Sequence, residues 1–318
     1  MDALVAAQIA LAAGQDLLFA LVAGVLACTA LLPDSGPVGT APYMVLGGAL
    51  RSRQLSAGLA LVLACVLYLW LQAAVMSGSS FTQAGAALIP VLTESHYGSA
   101  WIVGCLGAIW LVLATLALGA RGGKLAWLAA AAGALVYVAG KAAASHAADD
   151  GDFNLREAVH VLHLCATSVW AGSVIIAIGV LRRLDEAAET PAAGVKFRTR
   201  LSHLATVALA VVLVSGIYNA IRDTAARTTT ATVPLLSTPY GKILVVKLVL
   251  VAFAVMLGGW NRMTYLPLMR LQLDAPGSVP ARLPGAQRFD RLLTIEAFAM
   301  VAILIAAGVL GHTSPTSG

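Results

Sequence analysis

Six histidines, at positions 96, 146, 160, 163, 203 and 312, are the side chains best suited to chemistry in this sequence. His160 and His163 stand three residues apart inside an apolar run. That spacing turns both rings to one side of a helix, with Glu157 three residues before His160 on the same side. A polar ring among lipid tails needs a partner, so histidines at this depth face a bundle interior or a cavity. Neutral imidazole binds copper, zinc, iron and nickel, and three or four nitrogens fit Cu(II) well. Cu(I) would also accept soft sulfur, and Met76 is placed to offer it, whereas Cys165 should point to the other side of its helix. The competing reading is that a single membrane histidine simply hydrogen-bonds between helices. A ligand role is favoured for His160, His163 and His146, the two readings balance for His312, and packing is favoured for His96 and His203.

The elements that must position these rings are membrane spans. Hydrophobic residues make up 59% of the chain and charged residues 11%, against about a quarter charged in ordinary soluble domains. A span needs about 20 apolar residues. Runs of that length fall at 3–32, 55–77, 98–119, 125–147, 155–181, 201–222, 241–266 and 290–311. The fold class expected is therefore an all-α integral membrane protein of about eight helices, a single membrane domain over 1–318 with four helices in 1–150 and four in 151–318. The stretch from Ser77 to Tyr97, less apolar and holding Pro90, reads as a short interfacial helix.

Lys and Arg gather in alternate loops, from Arg51 and Arg53 through Arg182 and Arg183 to Arg288 and Arg291. The positive-inside rule then places both termini outside the cytoplasm, in the periplasm for a bacterial inner membrane. On that topology five histidines lie at or near the periplasmic face. His160 and His163 sit roughly 8 and 12 Å below the start of the fifth span. Asp149, Asp150 and Asp152 would draw cations to its mouth. The net charge of +5 is spread over short loops and speaks for topology, not for nucleic acid. All four cysteines fall in apolar runs without a CxxC pair, against a disulfide framework or zinc knuckle. The first apolar run is too long for a cleaved signal.

Asp16, Lys247 and Glu296 lie within spans, where they serve function or pair as structural glue. Glu296 and Met300 share a helix face that could line an onward path. No Walker loop, metal-ATPase thiol pair or nucleophile–base pair is present, so no enzyme is expected. The segment IPVLTESHYG (Ile89 to Gly98) echoes VPLLSTPYG (Val233 to Gly241), each ahead of a helix. The fourth and eighth spans also end alike, in SHA and GHT. Two parallel four-helix repeats would explain this, and coincidence explains matches so short equally well.

From the fifth span onward the sequence resembles the copper resistance D family (CopD, PcoD). HVLHLCATSVWAGS (His160 to Ser173) is similar to the family's "HLLAAAVWVGG" stretch. RLSHLATVALAVVLVSGIYNA, LLSTPYGKILVVKLVLV and the WNR of Trp260 to Arg262 follow in the family's order, and KAAASHAADDG looks like its "GHA" segment. The resemblance implies an eight-helix inner-membrane protein that moves copper from periplasm to cytoplasm, often beside a periplasmic copper-binding CopC partner. His146 then matches the "GHA" histidine and His163 the "HLL" one, while His160 is matched less closely. Ser173 replaces the family's second glycine, and a CopC-like partner would be a separate chain. The site expected is copper held by His146, His160, His163 and His312. A b-type haem carried by two of these histidines is the alternative, as is a scaffold that delivers copper without transporting it.

Overall fold

The computed structural model describes residues 3–32, 41–118, 123–145, 154–187, 191–228, 236, 238–274 and 283–313. The chain folds as helices α1 (Ala3–Leu31), α2 (Ala41–Ser77), α3 (Leu88–Glu94), α4 (His96–Ala117), α5 (Lys124–Ala143), α6 (Leu155–Ala187), α7 (Ala192–Thr228), α8 (Pro239–Trp260), α9 (Leu266–Asp274) and α10 (Pro284–Leu310). A π-helical turn, Asn261–Tyr265, joins α8 to α9 without a break. Eight of these stretches are long and apolar enough to cross a membrane, which makes the chain an all-α, multi-pass membrane protein. No strand occurs among the described residues.

Several helices run beyond the apolar runs that mark them. The second begins at Ala41 instead of 55, the sixth span at Ala192 instead of 201 and the last at Pro284 instead of 290. Hydropathy registers only the apolar stretch, whereas the helices continue on polar residues such as Arg51, Arg53, Arg198 and Arg288. The stretch between the second and third spans is helical, a 3₁₀ turn, Ala84–Ala87, followed by α3. Pro90 is tolerated there because it falls in the first turn, where its missing N–H has no intrahelical acceptor.

α1 stands at the centre, packed against α2, α6 and α10 and touching α5. Its tightest contact is with α6. A Cβ built on Gly172 would fall 1.7 Å from the Ala20 carbonyl oxygen, and one on Gly24 would fall 2.2 Å from the Gly172 backbone. The two backbones therefore touch directly, as small residues allow in membrane bundles. Ser173, next in line, is fully buried and donates to the Trp170 carbonyl at 3.1 Å, while its own carbonyl accepts from the Cys28 thiol.

Two apolar clusters result. One gathers α1, α2, α4 and α5 around Phe19, Leu61, Leu111 and Val138. The other gathers α6, α7, α8 and α10 with the far end of α1, around Val174, Leu181, Leu201, Phe289 and Met300. α6 contributes to both, since Val161, Leu164 and Cys165 pack against the first cluster and Trp170, Val174 and Ala177 lie in the second.

Candidate metal site

α6 starts on an Asn154 cap, whose side-chain oxygen accepts from the Glu157 N–H at 2.8 Å. One turn on comes His160, then His163, both half-buried. The two rings lie within electrostatic range of each other. Cys165, Val161 and Leu164 face the cluster of α1, α2, α4 and α5, so the cysteine does point away from the histidines.

His163 is held through its Nδ1. Its Nδ1 lies 2.9 Å from the Ser215 hydroxyl oxygen on α7. That hydroxyl donates its only hydrogen to the Val211 carbonyl one turn back, at 2.5 Å. When that hydrogen stays on the Val211 carbonyl the Ser215 oxygen accepts and His163 donates from Nδ1; in the other tautomer the roles reverse. In the first tautomer the neutral ring keeps its free electron pair on Nε2, the arrangement in which a partner on one nitrogen orients the other for a metal. Gly216 leaves the ring room, since a Cβ there would approach His163 Cε1 to 3.2 Å. Lys247 of α8 lies within electrostatic range of His163, and Asp16 of α1 within range of Lys247.

His312 is held differently. Its Nδ1 donates to the Gly308 carbonyl at 2.9 Å and its Nε2 accepts from the Tyr68 hydroxyl at 2.9 Å. Both nitrogens are engaged, and the ring ties the end of α10 to α2. His146, with Asp149, Asp150 and Asp152, lies outside the described residues. Among the described residues no three His, Cys, Asp or Glu side chains converge on one point that could hold a metal. His160 and His163 are thus brought together, and His312 does not complete a trio with them. His96 begins α4, His203 is exposed on α7, and Met76 is half exposed at the end of α2.

The intramembrane charges pair in ways the sequence does not disclose. Asp16 meets Lys141 of α5 at 2.5 Å. Glu296, 4% exposed, has the Trp170 indole as its hydrogen-bond donor and Gly258 of α8 packed against its carboxylate. Met300, one turn further along α10, is buried as well. At the opposite end of the bundle Arg198, 1% exposed, is gripped by Asp185 of α6 (3.2 and 2.8 Å) and Asp290 of α10 (3.1 and 2.7 Å). Its guanidinium also lies over the Phe289 ring, 5.9 Å from the centroid. Beside it opens a cavity of about 290 Å³ bordered by Arg182, Glu186 and Gln287. The sequence gives no hint of this network, because its three members lie on three helices and each alone reads as a loop-side charge.

Fold and site together define a polytopic helical membrane protein with a pair of histidines on one span, one of them hydrogen-bonded through Nδ1 to the neighbouring helix. Residues 195–310 match the family Copper resistance protein D, and residues 1–155 match the Copper resistance protein D-like N-terminal domain. The chain belongs to the copper resistance protein D family, whose members are membrane proteins of copper resistance and homeostasis. No curated protein and no solved structure matches it.

Proposed function

We propose that this protein is a copper importer of the bacterial inner membrane, not an enzyme, with both termini in the periplasm. Copper is its cargo, taken up at the outer face by His146, His160 and His163. The observation that carries the reading is the Ser215–His163 contact, which ties Nδ1 of a half-buried ring to α7 and leaves Nε2 as the nitrogen for a ligand. His160 one turn away supplies a second nitrogen, and His146 follows Lys141 of the neighbouring span by five residues. His312 joins only when Tyr68 releases its Nε2. The arginine-rich loops on the opposite side support the orientation. The membrane potential supplies about 2.3 kcal/mol per charge per 100 mV toward a negative interior. A separate periplasmic copper-binding chain of the CopC type fits as the donor.

The test is copper content after purification, for the parent and for His163→Ala, followed by copper flux into sealed proteoliposomes. Loss of bound copper and of flux in the variant is the expected result. Unchanged stoichiometry would overturn the site, and binding without flux would leave a delivery factor in place of a transporter.

A further inference from the structure

The four-helix cluster of α1, α2, α4 and α5 contains two free thiols that the histidine site does not use. Cys65 of α2 is 4% exposed and Cys105 of α4 is 8% exposed. The helices run antiparallel, and Gly58 meets Val112 across their interface. Seven residues on in one helix and seven back in the other bring Cys65 level with Cys105. The Trp101 indole, one turn before Cys105, donates to the Cys65 carbonyl at 3.0 Å and fixes that register. The two thiols interact electrostatically, and Cys65 also interacts with the Lys141 ammonium.

A second observation marks the same place. Tyr137 of α5 is 3% exposed, and its hydroxyl has no hydrogen-bond partner. It lies within electrostatic range of both Cys65 and Asp16. A buried hydroxyl left unpaired costs about 1–3 kcal/mol, so its retention among Phe19, Leu61 and Val138 needs a reason beyond packing. By contrast the Cys28 thiol has a protein acceptor, the Ser173 carbonyl.

We propose that Cys65 and Cys105 form a two-coordinate intramembrane site for a soft monovalent d¹⁰ cation, Cu(I) in the cell. Soft thiolates select Cu(I) over harder ions, and two sulfurs complete a linear site. Binding breaks both S–H bonds, forms two S–Cu bonds and releases two protons, with the metal remaining at +1. The resulting complex carries one negative charge and lies within electrostatic range of Lys141, which is itself paired with Asp16. The site deepens the copper reading by naming the oxidation state handled inside the bundle, but its geometry stands apart from the histidines of α6.

The test titrates the full-length protein in detergent, without oxygen, with Cu(I) against a chromophoric Cu(I) chelator, and reads the copper shell by X-ray absorption. The parent is expected to hold a Cu(I) with sulfur-only, two-ligand coordination. Cys65→Ser/Cys105→Ser is expected to lose that ion, and His163→Ala to keep it. A Cys28→Ala/Cys165→Ala chain, which retains only the proposed pair, must also keep it, and this arm decides the matter if the first variant fails to fold. A parent shell without two sulfurs, or loss of the ion from the Cys28→Ala/Cys165→Ala chain, overturns the proposal. Retention of the sulfur-bound ion with unchanged total copper in His163→Ala would refute the histidine site alone.

Discussion

Removing the two carboxylates around Arg198 is expected to destabilise the protein more than removing Arg198 itself. The guanidinium is almost wholly enclosed, at 1% exposure, whereas Asp185 and Asp290 keep 25% and 32% of their side chains in contact with solvent. Four charge-assisted hydrogen bonds of 2.7–3.2 Å hold it. Loss of one acid leaves two of these bonds, and hydrogen bonds to charged groups contribute about 1.5–3 kcal/mol each when measured by deletion. Loss of both acids leaves a buried charge without a counter-ion, a change that costs about 3–5 kcal/mol or more. Arg198→Met keeps most of the apolar stem, and the two acids that remain turn toward the adjoining cavity, so it should cost about 2 kcal/mol or less after allowance for solvent screening. The expected order of destabilisation is Asp185→Ala/Asp290→Ala, then Asp290→Ala, then Arg198→Met. Reversible unfolding in mixed micelles, with thermal melts of the same samples, measures it. An Arg198→Met chain less stable than the double alanine variant would refute the argument from asymmetric burial.

Ser215→Ala removes the group that orients His163 and should weaken copper binding by about 10- to 100-fold while leaving the ligand in place, as loss of an outer partner does; competition titration checks it, and His163→Ala should abolish the binding outright. Lys247→Met removes a cation within range of His163 and should tighten copper binding severalfold by the same titration. Gly172→Ala puts a methyl group 1.7 Å from the Ala20 carbonyl oxygen and should reduce the yield of monodisperse protein sharply, whereas Gly47→Ala, with nothing within 4 Å, should be neutral on size-exclusion chromatography. Tyr68→Phe removes the clasp on His312 and should lower the melting temperature by a few degrees while copper content is held or increased.

The number and order of spans were legible because hydrocarbon thickness imposes a run length that little else in a sequence imitates. Their ends were not, since Arg51 and Arg198 are as good helix formers as apolar residues once outside the hydrocarbon. The echo between TESHYG and STPYG gains a local explanation. Ser95 accepts from the Gly98 N–H at 3.0 Å and Thr238 from the Gly241 N–H at 3.1 Å. Each segment is a helix cap with glycine three residues on, so the likeness includes a shared capping pattern. At the site, the i, i+3 spacing correctly set His160 and His163 on one face and Cys165 on the other. Ser215, Tyr68 and Asp185 could not be read as partners of His163, His312 and Arg198. Those pairings span 52, 244 and 13 residues of sequence and depend on how helices pack.

α6 falls between the two family-matched stretches, which end at residue 155 and resume at residue 195. Its contacts are of two physical kinds. Toward α1 it presents Gly172, where backbone meets backbone with no side chain between them. Toward α7 it presents His163 to Ser215 and Asp185 to Arg198, polar links that can break and re-form. Under the import reading, we propose that the route of copper follows the seam between α6 and α7, with the Arg198 clamp at its far end.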